Sequence, residues 1–224
     1  MLGLGKSAWF ETLEIEGKRI PHAFSRFCRP DFVVSVDLVR RRWRWWTRRQ
    51  KGLFAAAFSH RVKLVEGDCD LLDFLMENGN CDVWMTIAGL VAREYPDRNR
   101  ALEFLLSLVR DRVFPLTNYY QALDILATRE GSDFLQPSIP YLKEALAMHA
   151  HETQKYPSLK WWRFWRDTFA YGDYLGCSAT LFKLTGDEEY RNNLSMHANH
   201  RDWLVRMMVR TAAKGGGMTP SISL

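Results

Sequence analysis

Between residues 68 and 149 one short apolar phrase recurs: Leu71-Leu72-Asp73-Phe74-Leu75-Met76, then Ala101-Leu102-Glu103-Phe104-Leu105-Leu106, and more loosely Tyr141-Leu142-Lys143-Glu144-Ala145-Leu146. Between the copies stands a second phrase, Ile87-Ala88-Gly89-Leu90-Val91-Ala92 and later Ala122-Leu123-Asp124-Ile125-Leu126-Ala127. Apolar residues three and four apart line one side of a helix. Trp84, Ile87, Ala88 and Val91 therefore predict a buried stripe, as do Leu102, Leu105, Leu106 and Val109, and Tyr119, Ala122, Leu123 and Leu126. The punctuation agrees: Gly79, Pro96 and Gly131 stop helices, and Asp68 and Ser132 are placed to cap the helices that follow. Pro137 and Pro140 mark a first turn or a break before Tyr141.

The copies start 101 − 71 = 30 and 141 − 101 = 40 residues apart, which suits two-helix units joined by loops of varied length. One such hairpin cannot bury its apolar face alone, so neighbours share a core and stack. With its Pro-Asp turn opening a helix, the run Tyr95-Pro96-Asp97-Arg98-Asn99-Arg100-Ala101-Leu102-Glu103-Phe104-Leu105-Leu106 resembles the HEAT-like family of α-solenoid repeats. That resemblance spans roughly residues 68 to 149 and, by repeat length, extends to about 210. It implies an all-α fold, a right-handed stack of helical hairpins and a habit of binding partners, and it carries no catalytic residue. The expected organisation is an N-terminal arm over residues 1–31, a helical repeat domain over 32–213 and a flexible tail over 214–224. Within the arm, the alternation around Phe10 to Glu16 suits either a short β hairpin or an irregular path.

Ahead of the repeats, Phe32-Val33-Val34-Ser35-Val36-Asp37-Leu38-Val39 runs into a basic stretch. Read as one helix interrupted at Gly52, it puts Val39, Trp43 and Trp46 on one arc and Arg40, Arg44, Arg48 and Lys51 on another. A second helical segment follows from Leu53 to about Val65. Charge sharpens the picture, because the net of +5 is concentrated here. From Asp37 to Lys51 seven cations (Arg40, Arg41, Arg42, Arg44, Arg48, Arg49, Lys51) oppose one anion, a local 7 − 1 = +6 that leaves 5 − 6 = −1 for the rest. A second aromatic and basic cluster, Lys160-Trp161-Trp162-Arg163-Phe164-Trp165-Arg166, follows a loop. Beyond it, Tyr174, Cys177, Ser178 and Leu181 predict a helix that stops at Gly186, and Asp187 caps a last long helix from Glu188 to about Ala212.

Arginine offers phosphate a planar fork of donors, and tryptophan offers a base or guanidinium a stacking face. Arg40, Arg41, Arg44, Trp45, Arg48, Lys51, Arg163 and Arg166 are therefore the candidates for contact with a protein partner or a nucleic acid. The same residues also suit core tryptophans with a solvated basic outer face, or an anionic membrane surface. Separately, Arg191-Asn192-Asn193-Leu194-Ser195-Met196-His197 resembles the Arg-x4-6-His motif of HEPN-family ribonucleases. That resemblance implies His197 as general acid or base and Arg191 as stabiliser of phosphate charge. The competing reading makes both solvent-facing residues of an amphipathic helix.

No metal or cofactor is predicted. His197 and His200 are three apart rather than four, His149 and His151 stand beside Glu152, and no third ligand can be named for either set. Gly215-Gly216-Gly217 follows the last helix instead of linking a strand to a helix, so it is no phosphate loop. Cys28, Cys69, Cys81 and Cys177 lack any Cys-x-x-Cys pair and suggest buried or partly buried thiols. No apolar run approaches the ~18 residues that cross a bilayer, and no secretory leader is evident. The sequence thus predicts a cytoplasmic, non-catalytic helical-repeat binding or scaffold module, with a helical ribonuclease as the alternative.

Overall fold

A computed structural model describes residues 13–15, 18–20, 33–113, 116–155 and 164–214, without the side chains of 13–20 and 164–168. The chain divides into two compact units, Met1–Pro96 and Asp97–Leu224. The division falls inside the stretch expected to be one repeat domain. Apart from one small ribbon, the regular elements among the described residues are helices. Lys214, expected to open the tail, is helical, and the rest of the expected tail, residues 215–224, lies outside the described residues.

In the first unit, strands β1 (Leu13–Ile15) and β2 (Lys18–Ile20) pair antiparallel with Glu14 opposite Arg19. Four helices follow: α1 (Val36–Trp43), α2 (Arg48–Phe58), α3 (Asp68–Asn78) and α4 (Cys81–Glu94). The basic stretch is not one helix. It breaks at Arg44 to Thr47, because Thr47 and Gln50 form a reciprocal cap: the Thr47 hydroxyl accepts from the Gln50 amide at 3.2 Å, and the Gln50 side chain accepts from the Thr47 amide at 2.9 Å. Gly52, expected to interrupt, lies inside α2, and that helix ends at Phe58 rather than Val65. Asp68 does not cap α3 from outside. Gly67, at φ 80°, is the cap position, and the buried Asp68 carboxylate turns back to accept from the Val65 amide at 2.9 Å.

Helix α4 packs on α2 and α3, and α1 packs on α3, around Phe54, Phe58, Leu71, Leu75, Ile87 and Val91, all fully buried. Two tryptophans close the end of α3. Trp43 Nε1 donates to the Asn78 carbonyl at 3.0 Å, and Trp84 Nε1 to those of Met76 and Leu75 at 3.0 and 3.2 Å, satisfying carbonyls that the helix end leaves without partners. Gly79 permits this, since a Cβ there would stand 2.6 Å from the Trp84 indole nitrogen.

The second unit holds α5 (Arg98–Arg110), α6 (Thr117–Glu130), a 3₁₀ turn (Ser132–Ser138), α7 (Ile139–Lys155), α8 (Phe164–Thr185), α9 (Glu188–Ala198) and α10 (Trp203–Lys214). Asp97 caps α5 by accepting from the Arg100 amide at 3.0 Å, as a Pro-Asp turn should. Ser132 does not act as a cap. It opens the 3₁₀ turn, which carries Pro137, and α7 begins only at Ile139 with Pro140 in its first turn. The expected last long helix is two. Between them the His200 Nδ1 accepts the Asp202 amide at 3.1 Å, and Arg206 donates to the His200 and Arg201 carbonyls at 2.6 and 2.8 Å, so the turn supplies its own partners. Helix α8, at 22 residues or about 33 Å, is the centre of the unit, with α6, α7, α9 and α10 packed around it. No described helix is long and apolar enough to cross a membrane.

Candidate functional site

The break after α1 creates an exposed corner. Val39 and Trp43 are buried on its inner side, where Trp43, Trp46, Phe54 and Phe74 make tilted and edge-on contacts at 5.2 to 6.5 Å. On the outer side Trp45 is 71% exposed, and the Arg44 guanidinium lies 5.0 Å over its ring. Arg40, Arg41, Arg42 and Arg49 are also exposed. Arg41 donates to the Asp37 carbonyl at 3.3 Å, and Arg40 lies 3.7 Å from the Asp37 carboxylate and 5.7 Å over Phe74.

Two candidates are tied to neighbouring elements, Arg48 while its side chain stays 66% exposed and Lys51 while half-buried. Arg48 grips Asp82 of α4 with two bonds, 2.5 and 3.0 Å, which hold the Asp82 carboxyl below its ordinary range. Lys51 sits 5.0 Å over the Trp43 ring. Both therefore fasten α2 to its neighbours. Arg163 and the Arg166 side chain lie outside the described residues.

Helix α9 carries Arg191 and His197, and it does not bring them together. Arg191 turns to Glu188, 3.2 Å away. His197 donates through Nδ1 to the Asn193 carbonyl at 2.9 Å and packs against Tyr171, Tyr174 and His200 at 5.5 to 6.1 Å. Six helical steps of about 100° carry the chain from one to the other, about 600° in all, or 240° around the axis. No group of three or more metal-ligating side chains occurs among the described residues.

The polar interior of the second unit was not foreseen. Helix α6 has no cap of its own, and Asp173 of α8 supplies one: its Oδ1 accepts from the Thr117 amide at 2.7 Å and the Thr117 hydroxyl at 2.6 Å. Burial pushes the Asp173 carboxyl up to about 6, against the Thr117 bonds. Nearby, the Tyr120 hydroxyl meets His149 Nε2 at 2.7 Å. Burial lowers His149 to about 4, with Arg112 adding to the effect, so its ring is neutral at pH 7. Burial likewise raises the Tyr120 hydroxyl and the Cys177 thiol, and Cys177 donates to the Leu142 carbonyl at 3.2 Å. One turn along, Lys183 of α8 and Asp124 of α6 pair at 2.6 Å, their side chains 14% and 6% exposed. Helical spacing gave the only available hint, because Asp173, Cys177 and Thr180 share a face with Tyr174 and Leu181. No protein-family model, curated protein or solved structure matches the chain.

Proposed function

We propose that the chain is a non-catalytic helical binding module whose α1–α2 corner holds single-stranded nucleic acid. The exposure of Trp45 carries this reading. An indole left in water forgoes about 1.5 to 3 kcal/mol of apolar burial, and here it stands among arginines in a chain that is otherwise near neutral. Arg40, Arg41, Arg42 and Arg44 supply the phosphate contacts and Trp45 the stacking face. An aromatic face stacks on an unpaired base and not on one inside a duplex, which favours a single strand.

The HEAT-like reading belongs to the same proposal. It is supported by the pairing of recurrent phrases within each unit, α3 with α4 and α5 with α6. The helical-ribonuclease alternative gains no support, since Arg191 and His197 point to different neighbours. An anisotropy titration of a labelled 12-nucleotide single strand against the matching duplex tests the proposal. Tighter binding of the single strand is expected. Equal affinity for the two, or binding only to an acidic protein, contradicts it.

A further inference from the structure

A cavity of about 200 Å³ opens between α6, α8 and α10 of the second unit. Most of its wall is apolar, formed by Tyr120, Gly176, Ala179, Met207 and Met208. The methionines are deformable and shape themselves to varied ligands. Close approach of α6 and α8 makes the floor: a Cβ at Gly176 would lie 3.3 Å from Tyr120 Cδ2, and one at Gly172 3.1 Å from Thr117 Oγ1.

Into this apolar wall is set the Lys183–Asp124 pair, 2.6 Å apart. A desolvated ion pair contributes little net stability compared with apolar residues of the same volume, so packing alone gives it no reason to stand here. Its charges cancel. A lone anion drawn to Lys183 is repelled by Asp124, and a lone cation meets the reverse, whereas a head group carrying both signs is matched at both atoms. Size sets the rest of the ligand. An apolar cavity of roughly 150 Å³ takes benzene, so this one takes about eight or nine non-hydrogen atoms.

We propose that the cavity binds a free α-amino acid with a short apolar side chain, its carboxylate on Lys183, its ammonium on Asp124 and its side chain against Met207 and Met208. The test is isothermal titration of the full chain with L-leucine and L-methionine, alongside 3-methylbutylamine, which lacks the carboxylate, and 4-methylpentanoate, which lacks the ammonium. An amino acid is expected to bind one to one, with each half-analogue at least ten-fold weaker. Ala212→Phe, at the cavity rim, should abolish binding while the helical circular dichroism is unchanged. If that variant fails to fold, Thr211→Trp at an exposed rim position replaces it. No binding of either amino acid at 10 mM, analogues that bind equally well, or a filled variant that binds like wild type overturns the proposal.

Discussion

Replacing Arg61 by methionine keeps an unbranched side chain of similar reach and deletes the charge that pairs with Asp68 in the core of the first unit. Both side chains are 1% exposed, and Arg61 Nε lies 3.0 Å from Asp68 Oδ2. Burial already raises the Asp68 carboxyl above its ordinary 3.8, opposed by the Val65 amide and by Arg61. Breaking a buried pair costs about 3 to 5 kcal/mol. Protonation of Asp68 caps that loss. Forcing a group of ordinary value 3.8 to be neutral costs at most about 1.36 × (7 − 3.8), or roughly 4 kcal/mol, at pH 7 and under about 1 kcal/mol at pH 4. The sign follows from the raised carboxyl: its stability is fully present below 3.8 and lost as pH rises through the folded value. Guanidinium unfolding at pH 7 and pH 4, with amide exchange followed in α3, reads the difference. Arg61→Met should lose several kcal/mol at pH 7 and far less at pH 4, and adding Asp68→Asn should recover most of the loss at pH 7. A loss below about 1 kcal/mol at pH 7, or the same loss at both pH values, refutes the reasoning.

Three further perturbations probe other parts of the chain. Thr47→Ala removes the reciprocal cap that starts α2 and should cost about 1 kcal/mol in thermal or chemical unfolding; no change would mean that the break after α1 is held elsewhere. Leu105→Ala, at a fully buried position of α5, should cost about 2 to 5 kcal/mol by the same measurement, and an unchanged midpoint would place that face wrongly. Asp173, at about 6 in the folded chain, favours the native state below 3.8 and withdraws that stability as pH rises to about 6. His149, at about 4, does the opposite, its stability present above 6.5 and lost as pH falls through 4. Asp173→Asn should therefore deepen the acid loss between pH 6 and 4 by about 2 to 3 kcal/mol relative to wild type, and His149→Gln should flatten it; parallel pH profiles for all three proteins would contradict this.

The helical stripes were legible because core burial imposes a 3.6-residue period: Ile87, Ala88 and Val91, and Tyr119, Ala122, Leu123 and Leu126, are all buried. Boundaries set by single polar groups were harder. Thr47 and Gln50 are three apart, the spacing of a cap, but they stand within a run of charged and aromatic residues whose helical period continues across them. Asp68 looked like a cap by position, but its partner Arg61 comes from the preceding turn and turns the carboxylate inward. The corner was half legible. Periodicity separated Trp45 from Trp43 and placed Arg48 with the outward arginines, where its side chain is exposed, but nothing local shows that Asp82 lies opposite Arg48 to pair with it. The polar interior of the second unit was hidden for the same reason: Thr117 and Asp173 are 56 residues apart, and Asp124 and Lys183 are 59.

Binding at the α1–α2 corner is tested most directly by the affinity of a labelled single-stranded oligonucleotide for wild-type protein and Trp45→Ala as a function of salt. Four phosphate contacts, from Arg40, Arg41, Arg42 and Arg44, predict a log-log slope of about −3 on a single strand. Loss of the stacking face predicts affinity lower by about 1 to 3 kcal/mol, with the slope and the unfolding midpoint unchanged. A slope near zero, or a Trp45→Ala protein that binds as tightly as wild type, contradicts the assignment.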